Sequence, residues 1–307
     1  MMESLAPSAV LQQVAEALPP TCREQVIIIG SLAAAYHFFE KDSGKELRTK
    51  DVDCMLAPHA KAVAAARDVT EQLLAAKWTR RTADPQWAKA GTADQAAEDL
   101  PLVRLNPPAN SAWFIELMGV PSEANNGVPV KAYERLTTSI GDFALCSFGF
   151  LGLAEWKPND TPFGIRTASP EMMALANLLH HPEIRPETMS GDSFGRTPLK
   201  RSNKDLGRVL ALAYLTSPNE LETWPGRWID ALTTKYPSRA RELALTAGSG
   251  LRQLLLSEDD LDQATLTCSL GLLSSMDVSR DMLAGTGQRV LAEVIESLED
   301  AARALSP

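Results

Sequence analysis

Residues 25–39 read QVIIIGSLAAAYHFF: a nearly continuous β-branched run stops at Gly30-Ser31, and an Ala-rich segment takes over. β-Branched residues favour a buried strand and alanine favours a helix, so this stretch predicts a strand over 25–30, a tight turn, and a helix over 32–40. Residues 48–56, RTKDVDCML, then carry Asp51 and Asp53 inside a second strand-like run over 51–56. In a strand, residues i and i+2 share a face, so both carboxylates project together while Val52 and Cys54 turn to a core. Adjacent carboxylates repel unless a cation lies between them. A hard divalent ion such as Mg²⁺ suits the pair, because it takes oxygen ligands and keeps sites for substrate phosphates. In AWFIELMGV, Glu116 is a lone carboxylate between Ile115 and Leu117 on another predicted strand. If that strand lies beside the Asp strand, three carboxylates converge. Gly30-Ser31 opens a helix whose N-terminal N–H groups and partial positive charge suit phosphate oxygens. Each feature also has a plainer reading: a turn that binds nothing, an edge strand with a wet face, a solvated glutamate.

The remaining pattern extends this arrangement. Residues 8–18 predict a short helix ended by Pro19-Pro20, and 59–77 an Ala-rich helix. LVRLN and AWFIELMGV predict two strands joined by the turn residues PPANS. Residues 82–99 are polar and predict a loop or a mobile helix, and 127–168 predict short strand pieces among many glycines and prolines. From TASPEMMALANLLHH onward the pattern is helical, with Ser169 as N-cap and Pro170 at the first helical position. Most of 202–305 predicts amphipathic helices broken near Pro218, Pro225, Pro237 and Gly285-Gly287. The expected fold class is α+β: a mixed sheet flanked by helices over 1–168, followed by an all-helical domain over 169–307.

The chain carries 39 acidic and 30 basic residues, a net charge of −9, so any polyanion must meet a local basic patch. RTPLKRSNKDLGR, residues 196–208, holds Arg196, Lys200, Arg201, Lys204 and Arg208 against Asp205. It reads either as a platform for triphosphate or RNA, or as a solvated start of a helix. KWTRR, residues 77–81, reads as a helix C-terminus that favours cations or, as the lesser alternative, as an RNA contact. Arg48 and Lys50 flank the Asp strand, as support for the carboxylates or as loop charges. Trp224 and Trp228 read as core residues. No segment reaches the roughly 20 apolar residues needed to span a bilayer, and the N-terminus lacks a signal-peptide pattern. Cys22, Cys54, Cys146 and Cys268 form no CxxC pair and read as free thiols of a cytoplasmic protein. Four scattered histidines argue against a zinc site.

Gly-Ser after a β-run, Asp-x-Asp in a strand and a third acidic residue in a later strand together resemble the polymerase-β-type nucleotidyltransferases. The long gap between Ser31 and Asp51 is similar to that of the AbiEii-type abortive-infection toxins and related bacterial nucleotidyltransferase-like proteins. SPEMMALANLL and LKRSNKDLGRVLALAYL look like two helical elements of that family, the second with its KDL segment. The resemblance covers residues 25–216. It implies a nucleotidyltransferase-like sheet, Mg²⁺ bound by Asp51 and Asp53, triphosphate held at Gly30 and Ser31, and Glu116 as the third carboxylate, completing the metal site or accepting a proton. It implies transfer of an NMP from an NTP to a hydroxyl of RNA, protein or a small molecule. A toxin–antitoxin or phage-defence role, with an antitoxin or a second copy of the chain as partner, belongs to the same expectation. The sequence departs from the family at Asn177, where relatives often carry a lysine that touches the nucleotide. Arg201 and Lys204, at i and i+3, are the expected substitutes. A catalytically inactive binding or regulatory protein of the same fold is the alternative.

Overall fold

The computed structural model describes residues 6–39, 51–82, 89–108, 113–121, 132–184 and 199–305. Arg48, Lys50 and Arg196, named above, lie outside the described residues. The chain divides into two compact units, Met1–Ser169 and Pro170–Pro307.

The first unit is mixed α/β. Helices α1 (Pro7–Glu16) and α2 (Pro20–Arg23) precede β1 (Val26–Ile28), α3 (Gly30–Phe39), β2 (Asp51–Leu56), α4 (His59–Ala75), β3 (Thr79–Arg80), β4 (Arg104–Asn106), β5 (Phe114–Gly119), β6 (Ala132–Thr138), β7 (Gly141–Ser147), β8 (Asn159–Asp160) and β9 (Arg166–Thr167). These strands form one open mixed sheet in the order β3-β4-β5-β2-β1-β9-β8, with β7 paired to both β5 and β6. At its centre β2 runs parallel to β5 and antiparallel to β1. The alternation read from the sequence is present in β2: Val52 and Cys54 are fully buried, whereas Asp51 and Asp53 are half-buried.

Helix α4 covers the apolar face. Ala62, Ala66, Val69 and Leu73, spaced four, three and four apart, form its buried stripe, and it packs on β2, β5 and β6. Near the C-terminal end of α4, Glu71 accepts hydrogen bonds from the backbone N–H and the hydroxyl of Ser139, both at 2.6 Å, and so pins the β6–β7 turn. Residues 132–147 are not short pieces but a hairpin of two seven-residue strands. Its Arg135 bonds Asp142 at 2.8 Å and reaches the carbonyls of Thr92 and Gln95. The described part of the polar segment 82–99 adds an antiparallel bridge from Gly91 to Asp142 and a short 3₁₀ turn, Ala97–Asp99.

The second unit is helical: α5 (Pro170–Ile184), α6 (Arg201–Leu215), α7 (Pro218–Leu221), α8 (Trp224–Lys235), α9 (Ala240–Thr246), α10 (Ser249–Leu254), α11 (Glu258–Leu270), α12 (Arg280–Arg289), a π-helical turn (Val290–Ile295) and α13 (Glu296–Arg303). Among the described residues, no helix is long and apolar enough to cross a membrane. The break expected near Pro225 falls just before it, between α7 and α8; Pro225 itself lies in the first turn of α8, where its missing N–H costs nothing, so Trp224 and Trp228 sit on one helix. The break expected near Gly285-Gly287 is absent. Helix α12 runs through Gly285 and Gly287; a Cβ at Gly287 would lie 2.9 Å from the Leu255 side chain, so glycine here permits close packing rather than a turn. Pro218 does start a helix, capped by Ser217, and Pro237 follows the end of α8. Ser169 does not cap α5 with its side chain: its hydroxyl is buried without a hydrogen-bond partner.

Trp228 ties this unit together. It is fully buried, its ring centre lies 5.5 Å from that of Trp224, and its Nε1–H donates to the Glu171 carbonyl at 2.9 Å. Trp228→Ala is expected to lower unfolding free energy by about 3–5 kcal/mol, the range for emptying a large aromatic site. Urea unfolding followed by circular dichroism measures it, and a change under about 1 kcal/mol would be inconsistent with a packed indole.

Candidate functional site

On the sheet face opposite α4, half-buried carboxylates stand among the buried side chains of Met55, Phe114 and Met118. In β2 and β5 the register pairs Asp51 with Phe114 and Asp53 with Glu116. Partners across parallel strands project to the same side, so Asp51, Asp53 and Glu116 share one face. The row continues outward. Arg104 of β4 pairs with Glu116, and the Arg81 N–H donates to the Arg104 carbonyl at 2.9 Å. One line thus reads Arg81, just after β3, then Arg104, Glu116 and Asp53 on β4, β5 and β2.

On the other side of β2 the chain turns from β1 into α3. The Ile29 N–H donates to the Asp53 carbonyl at 2.9 Å, which fixes the turn beside the aspartate. Gly30 adopts φ +69°, and a Cβ there would stand 2.7 Å from Asp53 Oδ2. Glycine is therefore favoured twice, by its backbone and by the closeness of the carboxylate. Ser31 follows in the first turn of α3. Gly30, Ser31, Asp51, Asp53 and Glu116 thus belong to one region of the α/β unit.

Glu116 is engaged: Arg104 Nε donates to its Oε2 at 2.5 Å. Among the described residues, no group of three or more His, Cys, Asp or Glu is arranged to hold a metal ion. The donor chemistry that remains is the Asp51 and Asp53 pair, two hard oxygen donors on one strand face. This pair fits Mg²⁺ of the kind bound by one or two carboxylates and completed by substrate oxygens. Cys54, on the opposite face, is no nucleophile: burial first, then the neighbouring Asp53 charge, pushes its thiol well up. Cys268 is likewise driven up to about 12 by burial, and all four cysteines are free.

Arg201 and Lys204 lie on α6 of the helical unit. Arg201 is exposed and Lys204 half-buried beside Asp205. Asp205 accepts from or pairs with His180 Nδ1 at 3.2 Å and with Arg208 at 3.5 Å. Lys200 pairs with Asp260 at 2.6 Å and lines a cavity of about 370 Å³ together with His181, Asn203, Gly250 and Leu254. The Asn177 amide donates to the Met173 carbonyl one turn back on its own helix, at 2.7 Å. Arg104 is not singled out by sequence reasoning, and Arg81 is read in KWTRR as a helix-end cation, whereas α4 ends at Ala75, Thr79–Arg80 form β3 and the Arg81 guanidinium lies 4.3 Å over the Phe114 ring. The available signal is the alternation of Val103, Arg104, Leu105 and Asn106, which has the same two-residue period as Asp51 to Cys54. Comparison of the chain with protein-family models, curated proteins and solved structures gives no significant match.

Burial works against the charge of Asp205. The His180 hydrogen bond and the charges of Arg208, His180 and Lys204 outweigh it and hold the carboxyl below its ordinary value of 3.8. A depressed acid contributes stability that is present above 3.8 and lost as pH falls through its folded value. Asp205→Asn is expected to cost about 1.5–3 kcal/mol at neutral pH and to flatten the loss of stability on acidification below 3.8. Urea unfolding at a series of pH values tests this; parallel acid limbs in the two proteins would rule out the network.

Proposed function

We propose that this chain is a Mg²⁺-dependent nucleotidyltransferase that moves an NMP from an NTP onto a hydroxyl of an RNA, a protein or a small molecule. The observation that carries this reading is the alignment of Asp51, Asp53 and Glu116 on one face of two paired parallel strands, with Gly30 against Asp53. In the reaction the acceptor hydroxyl oxygen bonds to the α-phosphorus as the bond to pyrophosphate breaks, and the hydroxyl proton passes to water. Mg²⁺ held by Asp51 and Asp53 would supply neutralisation of the charge that develops on the phosphate and leaving group. Gly30 and Ser31, at the N-terminus of α3, receive phosphate oxygens. A role in a toxin–antitoxin or phage-defence system, with an antitoxin as partner, is part of the same proposal.

A second reading, a non-catalytic binding or regulatory protein of this fold, is favoured by two observations. Arg104 engages the third carboxylate, and Asn177 carries no charge and turns back on its own helix. Four α-labelled NTPs incubated with Mg²⁺ and total cellular RNA, or with the protein alone, separate the readings. Mg²⁺-dependent label transfer is expected with at least one NTP, reduced about a hundredfold or more in Asp53→Asn. The same variant in chelator is expected to melt no lower than wild type, because removing one of two adjacent carboxylate charges relieves repulsion. No transfer with any NTP, alongside retained NTP binding, supports the second reading.

A further inference from the structure

The row Arg81, Arg104, Glu116, Asp53 sets two guanidinium groups next to the carboxylates. Arg104 is held from two directions. Its Nε donates to Glu116, and its guanidinium carbon stands 5.6 Å from the centre of the Phe114 ring, over which Arg81 also lies at 4.3 Å. The Arg104 and Glu116 side chains are 20% and 15% exposed. The pair therefore opens to solvent at the polar face yet is sheltered from much of the salt screening that weakens surface pairs. A phosphate chain arriving beside Asp51 and Asp53 meets like charge, which a cation in the same row offsets in addition to any metal. Arginine suits that task, because its planar fork matches phosphate oxygens bidentately and stacks on aromatic faces.

We infer that Arg104 is the phosphate-binding residue of this site, that Glu116 is the positioning residue that seats it, and that Arg81 adds a second cation on the Phe114 ring. The inference rests on the nucleotidyltransferase reading and deepens it. The ligand is a nucleoside triphosphate whose phosphates reach Arg104, and the principal contact is Arg104 rather than Arg201 or Lys204. Glu116 thereby acts through Arg104.

Isothermal titration of ATP and of inorganic tripolyphosphate, each with Mg²⁺, into wild type, Arg104→Ala, Arg104→Lys and Glu116→Gln tests it. Arg104→Ala is expected to weaken both ligands about ten- to a hundredfold, the worth of one charge-assisted contact. Similar losses for the two ligands mark a contact to phosphate rather than to base. Arg104→Lys, which keeps the charge without the fork, is expected to lose about tenfold, and it decides the matter if Arg104→Ala does not fold. Glu116→Gln is expected to weaken tripolyphosphate less than Arg104→Ala does, because the fork remains but is less firmly seated. Wild-type binding with unchanged affinity in both Arg104 variants overturns the inference and leaves the transferase reading standing. Binding that depends on Arg104 without label transfer upholds Arg104 and removes the transferase reading. A wild type that binds neither ligand removes both.

Discussion

The parallel pairing of β2 with β5, six residues in strict register, governs the rest of the α/β unit. It brings the pleats of the two strands into phase. Val52, Cys54, Ile115 and Leu117 then point together into the layer under α4, each fully buried. Every residue of the opposite phase, including Asp51, Asp53 and Glu116, points the other way. A slip by one residue would carry apolar side chains out and carboxylates in. Burying each large apolar side chain is worth about 1.5–3 kcal/mol, and an unpaired carboxylate in that layer costs several kcal/mol, so both terms select the same register. The polar row on the outer face is thus a by-product of the apolar packing beneath it, and its geometry is as firm as the core.

The helical unit is organised differently. Its large apolar contacts are accompanied by charged pairs at the helix flanks: Glu171 with Arg227 at 2.9 Å, Arg252 with Glu299 at 2.7 Å, and Asp205 between His180 and Arg208. Such pairs add modest stability, but breaking one leaves a buried charge uncompensated. Glu171 links α5 to α8, Glu299 links α13 to α10, and Asp205 links α6 to α5. The Cys268 thiol, donating to the Gly207 carbonyl at 3.0 Å where α6 and α11 approach, does the same on a smaller scale.

The order of a mixed sheet followed by helices is legible because it rests on local signals: β-branched runs, alternation of period two, and alanine-rich stripes. The half-exposed positions of Asp51 and Asp53 follow from the same alternation. What local pattern does not carry is partnership between distant strands. Arg104 is twelve residues from Glu116 along the chain and directly beside it in the sheet, and a residue-by-residue reading treats LVRLN as one strand among several. The break expected at Gly285-Gly287 fails for a related cause: glycine marks a turn by identity alone, whereas Gly287 answers to the Leu255 side chain packed against it.

The contact between Gly30 and Asp53 has a consequence for how such a chain can change over time. Any side chain at position 30 would meet Asp53 Oδ2 within 2.7 Å and would also adopt an unfavourable backbone angle. A side chain at position 30 needs the Asp53 carboxylate to swing aside or to be replaced by a shorter residue, and its backbone penalty persists in either case. The two positions are therefore coupled: the freedom of one depends on the side chain of the other.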